Sequence, residues 1–300
     1  MQKKRQKLPN QAVHLTPRTS AALTRQGLVA AQVTLVVRQK MADQSPLKVF
    51  VDNCILSVSD TMQGAKKQFP LNWASSVQWV DVVGYMRKPL PNSKDQWKRK
   101  EIECLPTIGR IAREGKISLF TYFELLSEGW KRSGSFPANS IGNIFSGVSI
   151  NHVDAAVERS YFFQMELGQF IQTEKVIEYC KWLMTPGIEK LADRLSGNPD
   201  YPLWLLNNLR NVQRFRDLCH GLAEKQYPDA LHLWSAEVNG SNLFLTIDGK
   251  FIRAMTKSKN INLPCKPVSP AELLDILKIE DKDPFEFREG QFYDISGRPK

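Results

Sequence analysis

The sequence has no run of eighteen apolar residues, so no segment is long enough to span a bilayer as a helix. It has no C-x-x-C pair. Its five cysteines (Cys54, Cys104, Cys180, Cys219 and Cys265) lie 50, 76, 39 and 46 positions apart. An odd, scattered set argues against a disulfide framework or a structural zinc site and fits a reducing cytosol, so the expected location is cytoplasmic. The chain has no internal repeat, and its first 47 residues contain no aromatic side chain. What it does have is core-forming content: 42% hydrophobic and 24% charged residues over 300 positions. That composition excludes wholesale disorder and a fibrous chain.

The positive charge is unevenly placed. Of the formal +10, residues 1–47 carry eight basic side chains against Asp43 alone, a net +7, leaving +3 for the other 253 residues. Residues 1–47 read as a basic extension, disordered or weakly ordered, that adds nonspecific affinity for nucleic acid. Its one apolar run, Gly27 to Val37, has the length of a signal-peptide core, but the segment before it is long and polar and Val36 to Lys40 is a poor cleavage site. Met41 is an alternative start, because the globular pattern begins just after it.

From Lys48 the pattern alternates short β-branched runs with amphipathic stretches. Lys48 to Val51 reads as a buried strand ending on Asp52, followed by a helix around Ile55, Leu56 and Val58. Ile117 to Phe120 reads as a second strand, with a helix from Tyr122 to about Trp130. Leu203 to Ala223 reads as one helix, and Pro228 opens another through Val238. Leu243 to Ile247 reads as a third strand ending on Asp248. A last short strand lies near Cys265 to Val268, and Pro270 opens a helix through Leu277. This alternation predicts an α/β fold with a parallel sheet flanked by helices. The domain is expected over 48–280, with insertions at about 60–95 and 132–200 and a C-terminal tail at 281–300. Residues 152–196 read as two or three helices.

Two strands deliver an acid at their C-terminal ends, Asp52 and Asp248, the edge at which open parallel sheets bind ligands. Asp229 lies in the first turn of its helix, and Glu124 and Glu128 share one helix face after the second strand. Each acid alone has a plain reading: Asp52 or Asp248 as a helix cap, Asp229 as a complement to the helix dipole, the glutamates as solvated. Several carboxylates at one edge repel each other. Such a cluster is stable chiefly when it binds hard cations such as Mg²⁺ or Mn²⁺.

The blocks carrying these acids resemble the PIN-domain family. Val49 to Leu56, with Asp52 and the pair Asn53-Cys54, resembles its opening strand and first acid. Ile117 to Glu128, with Thr121 at the strand end, is similar to its second block. Asp229-Ala230-Leu231-His232-Leu233-Trp234-Ser235-Ala236 and Leu243 to Ile252, containing Thr246-Ile247-Asp248, resemble the third and fourth, and Val268 to Leu274 resembles the usual ending. The resemblance covers about 120 of the 300 residues. It departs at Cys54, where the family usually places Asn or Ser. It implies a PIN-like metal-dependent ribonuclease that hydrolyses single-stranded RNA with Mg²⁺ or Mn²⁺. Asp52, Glu128, Asp229 and Asp248 would be catalytic and metal-binding, Glu124 a reserve for Glu128, and Thr246 a hydrogen-bond partner of a carboxylate or a bound water.

Lys250 and Arg253 follow Asp248 and are candidate RNA contacts. Lys94, Lys98, Arg99 and Lys100 with Trp97 form a basic-aromatic segment suited to stacking bases, or a solvated helix face. His232, one helix turn from Asp229, reads as a packed helix histidine with a substrate contact as the alternative. The helical insertion at 152–200 is able to cover the site, bind an antitoxin-like protein partner or make a homo-oligomer. The competing function is a degenerate PIN-like module that binds RNA or a protein partner without cutting. Aspartyl-phosphate hydrolases need a second acid where this chain has Cys54, and a response-regulator receiver needs paired acids before Asp52 that are absent.

Overall fold

In a computed structural model, the described residues are 46–73, 76–91, 95–130, 141–257 and 261–300. The expected basic extension, except for its last two residues, and Lys94 lie outside them. In chain order the elements that build the site are β1 (Leu47–Val51), α1 (Asn53–Ser59), β2 (Met62–Trp73), β3 (Ser76–Arg87), α2 (Gln96–Glu103), α3 (Leu105–Arg113), β4 (Ile117–Thr121), α4 (Phe123–Trp130) and β5 (Ile150–His152). Then come α5 (Leu167–Phe170), α6 (Thr173–Leu183), α7 (Glu189–Arg194), α8 (Leu203–Arg210), α9 (Gln213–Cys219), α10 (Tyr227–Val238), β6 (Leu243–Leu245), α11 (Gly249–Lys257), β7 (Lys266–Val268), α12 (Pro270–Leu277) and β8 (Phe292–Asp294).

The main sheet has the order β5-β4-β1-β6-β7, and every pairing in it is parallel. β1 is central: Val49 lies opposite Leu119 of β4 and Leu243 of β6. A parallel sheet is covered on both faces, so its strands are apolar throughout, which is why the uninterrupted runs in the sequence were informative. Successive side chains of β1 alternate between two cores. Phe50 packs with Tyr122, Phe244 and the helices α6, α8, α9 and α10 on one face. Val49 and Val51 pack with Leu119, Leu245 and residues of α1, α2, α3 and α12 on the other.

The segment at 60–95, read from the sequence as an insertion, contains a regular antiparallel hairpin, β2–β3, in which Met62 pairs with Arg87 and Trp73 with Ser76. Pro70 is accommodated because β2 is an edge strand. The 281–300 segment supplies β8, which pairs with β3 at Gly84, Tyr85 and Met86. Gly84 is required there, because a Cβ would collide with the Tyr293 backbone carbonyl oxygen. The 132–200 insertion contributes β5 to the main sheet, beside β4. The helix expected over 203–223 is two helices, with Asn211 ending the first.

Candidate carboxylate site

The chain leaves β1 toward β4 on one side of the sheet, whereas β6 continues to β7 on the other. The crevice at the C-terminal ends of β1 and β6 is therefore the topological switch point, the place where such sheets bind ligands. Asp52 stands at the end of one strand and Thr246 to Asp248 at the end of the other.

Asp52 is held from both strands. Its Oδ2 accepts from the Thr246 hydroxyl at 2.6 Å and from the Cys54 thiol at 2.8 Å. Thr246, fully buried, also accepts the Asp248 backbone N–H at 3.0 Å, so its one proton is committed to Asp52. Cys54 Sγ in turn accepts the Ile247 N–H at 3.3 Å. Burial, then the nearby Asp52 charge, raises the Cys54 pKa well above its ordinary value, so the group stays a thiol and a donor. The cysteine at the position where the resemblance departs therefore still supplies a hydrogen bond to the first acid.

Asp248 uses one oxygen locally. Oδ1 accepts the N–H groups of Lys250 and Phe251 at 2.8 and 2.9 Å, capping α11. Asp229 sits in the first turn of α10, behind Pro228. Its pKa is pushed up to about 7, chiefly by burial and further by Asp52, Asp248 and Glu128, against a lowering by His232. Carboxylates from three other parts of the chain thus act on Asp229.

Glu128 faces the same group from α4. Its Oε2 accepts from Asn53 Nδ2 at 3.1 Å, and its Oε1 lies 3.3 Å from His232 Nε2. His232 is 2% exposed, and its Nδ1 lies 2.6 Å from the Tyr122 hydroxyl. Burial disfavours a charged His232, but Glu128, Asp52 and Asp229 together raise its pKa above the ordinary value. Protonated, the ring donates to both Glu128 and Tyr122. The histidine is packed within its helix, and the neighbouring acids favour its charged form.

Glu124, the reserve acid, is committed elsewhere. Both its oxygens accept from Arg159, at 2.9 and 2.8 Å, in a buried ion pair. Arg159 also donates to the Phe170 carbonyl at 2.6 Å and lies 3.7 Å over that ring. Glu124 therefore serves the fold and is not offered to the cluster. The α4 acid that reaches the site is Glu128.

The donor set, all carboxylate oxygen, suits a hard divalent cation, and the raised Asp229 pKa reflects burial first and the neighbouring acids second. As the side chains stand, no group of three His, Cys, Asp or Glu among the described residues is placed to hold a metal ion. Lys250 and Arg253 are exposed on α11 beside Asp248. No helix among the described residues is long and apolar enough to cross a membrane.

Three contributors had no signal in the sequence: Asn53 and Tyr122 as partners of Glu128 and His232, and Arg159 as the partner of Glu124. Arg159 lies 35 positions from Glu124 and Tyr122 lies 110 from His232, so no local spacing marks them. Comparison with known proteins finds no match, whether among family models, curated proteins or solved structures.

Proposed function

We propose that the chain is a PIN-like ribonuclease that hydrolyses single-stranded RNA with Mg²⁺ or Mn²⁺. The observation that carries this reading is that Asp52, Asp248 and Glu128 all act on the buried Asp229 at the switch-point edge, each adding to the rise that burial gives its pKa. These four residues would hold the ion, which supplies an activated water and a counter-charge for the leaving oxygen.

The chain's own groups set up that chemistry. Thr246 and Cys54 fix Asp52 from two strands. Asn53 and His232 orient Glu128, and Tyr122 orients His232. Lys250 and Arg253 lie where a phosphate backbone approaching Asp248 would meet them. The test is incubation of the full chain with a single-stranded RNA in Mg²⁺, Mn²⁺ or EDTA. Cleavage that requires the metal supports the reading, and intact RNA under every condition rejects it.

The second reading is a degenerate module that binds RNA or a protein partner without cutting. One observation favours it: no three of the described side chains stand in metal-holding geometry. RNA binding without cleavage, unchanged by Mn²⁺, is its signature.

A further inference from the structure

Trp97 lies in the first turn of α2, which Asp95 caps by accepting the Lys98 N–H at 3.2 Å. In the folded chain it reaches the carboxylate edge, 152 positions along at Gly249. A Cβ placed on Gly249 would lie 3.1 Å from Trp97 Cη2, 3.2 Å from Cζ3 and 3.1 Å from Arg253 Nη1. The benzo edge of the indole therefore rests against the residue that follows Asp248, with the Arg253 guanidinium at the same spot. Glycine at 249 is what permits this approach.

Trp97 is nevertheless 43% exposed. It is also held on a fixed support. Glu101, buried one turn further along α2, accepts the Ala271 N–H at 2.8 Å and ties α2 to the start of α12. A half-exposed indole on a helix, with the exposed Arg253 at the same spot and the exposed Lys250 next in sequence to the glycine it approaches, has the chemistry of a stacking surface with phosphate contacts alongside.

We propose that Trp97 is a base-stacking platform for an unpaired base of the substrate strand, with Arg253 and Lys250 on the adjoining phosphates, and that it selects single-stranded over duplex RNA. This rests on the ribonuclease reading above. Stacking needs an open π-face, which a paired base in a duplex does not offer, while the cations alone would accept either form. Trp97 is thus a specificity determinant set apart from the four acids.

The experiment compares wild type, Trp97→Ala and Trp97→Phe, each as the full chain. Cleavage is measured on wild-type background, and binding is measured with Asp52→Asn also present. The probes are a single-stranded oligouridine RNA, the same strand carrying one abasic nucleotide scanned along it, and an RNA duplex. Trp97→Ala should weaken single-strand binding and raise KM about tenfold, leave kcat and duplex binding nearly unchanged, and keep the wild-type melting temperature. Trp97→Phe should recover most of the loss. At one abasic position wild type should fall to the affinity of Trp97→Ala, with no further loss when the two are combined. Equal single-strand affinity in Trp97→Ala and wild type, or an equal loss on duplex and single strand, overturns the proposal. Trp97-dependent single-strand binding without cleavage by wild type would reject the ribonuclease reading and leave the platform standing. Metal-dependent cleavage with no Trp97 effect would do the reverse.

Discussion

The Thr246 hydroxyl donates to Asp52 Oδ2 at 2.6 Å, joining the end of β6 to the acid at the end of β1. The two residues are 194 positions apart, and the parallel pairing of Val51 with Leu245 brings them together. The bond fixes the rotamer of Asp52, and through the Asp248 N–H it also anchors the turn into α11.

Thr246→Val keeps the shape and removes the hydroxyl. It leaves the Asp248 N–H without its acceptor and Asp52 with the thiol as its remaining side-chain donor. We expect a loss of about 1–3 kcal/mol in stability, together with a fall in RNA cleavage. Thr246→Ser should restore both. Urea unfolding and a cleavage assay on the three proteins check this. A valine variant with wild-type stability and rate would mean that the hydroxyl does not position Asp52.

Glu124 and Glu128 share a helix but should respond in opposite ways to the same change. Glu124→Gln leaves Arg159 as a buried, unpaired charge and should cost about 3–5 kcal/mol. Glu128→Gln keeps a partner for Asn53 and reduces repulsion among the acids, so its stability should stay near wild type while cleavage is lost. Chemical denaturation separates them. Equal destabilisation of the two variants contradicts the assignment of Glu128 to the site and Glu124 to the fold.

Asp229 makes stability depend on pH. Its pKa is about 7 folded, against 3.8 ordinarily. The folded state therefore holds the proton more tightly, and this contribution to stability is fully present below about pH 4. It is lost as pH rises to and through about 7. Melting temperature should fall over that window, and Asp229→Asn should flatten the dependence. Mn²⁺ should do the same by supplying the missing positive charge. Identical pH profiles for wild type and Asp229→Asn would refute the raised pKa of Asp229.

The parallel strands and the two acids at their ends were legible because buried strands are written as uninterrupted apolar runs, as in Lys48 to Val51 and Leu243 to Ile247. The hairpin was not, because its distal residues put apolar side chains on both faces: Leu71 and Trp73 on one, Trp79 and Val77 on the other, around Pro70. Each distal stretch does alternate, but Gly64, Pro70 and Gly84 interrupt the runs and speak against strands. β5 was hidden by its brevity, three residues ending in Asn151 and His152. Within the site, the sequence supplied the acids and the register that unites them. The resemblance ranked Glu128 ahead of Glu124, but the role of Glu124 was not legible, because it depends on Arg159, which only the folded chain brings near. The sequence allowed a helix cap for Asp248 and favoured the ligand role, and the structure shows the cap with one oxygen engaged.

Gly84 tests the second sheet independently of the site. Gly84→Ala should displace β8 from β3, lower the melting temperature and increase hydrogen exchange at 292–294, while cleavage persists. Loss of cleavage in a still-folded Gly84→Ala would couple the hairpin sheet to the carboxylate edge, contrary to this account.

The most direct test of the carboxylate site is Asp52→Asn, read by melting temperature with and without Mn²⁺ and by cleavage of a single-stranded RNA. The amide matches the carboxylate in shape and still accepts from Thr246, and it removes one negative charge from the field at Asp229. The account predicts a melting temperature without metal that equals or exceeds wild type, a smaller rise on adding Mn²⁺, and no cleavage. A variant that melts lower than wild type yet cuts RNA at the wild-type rate would make Asp52 a structural residue and contradict the account.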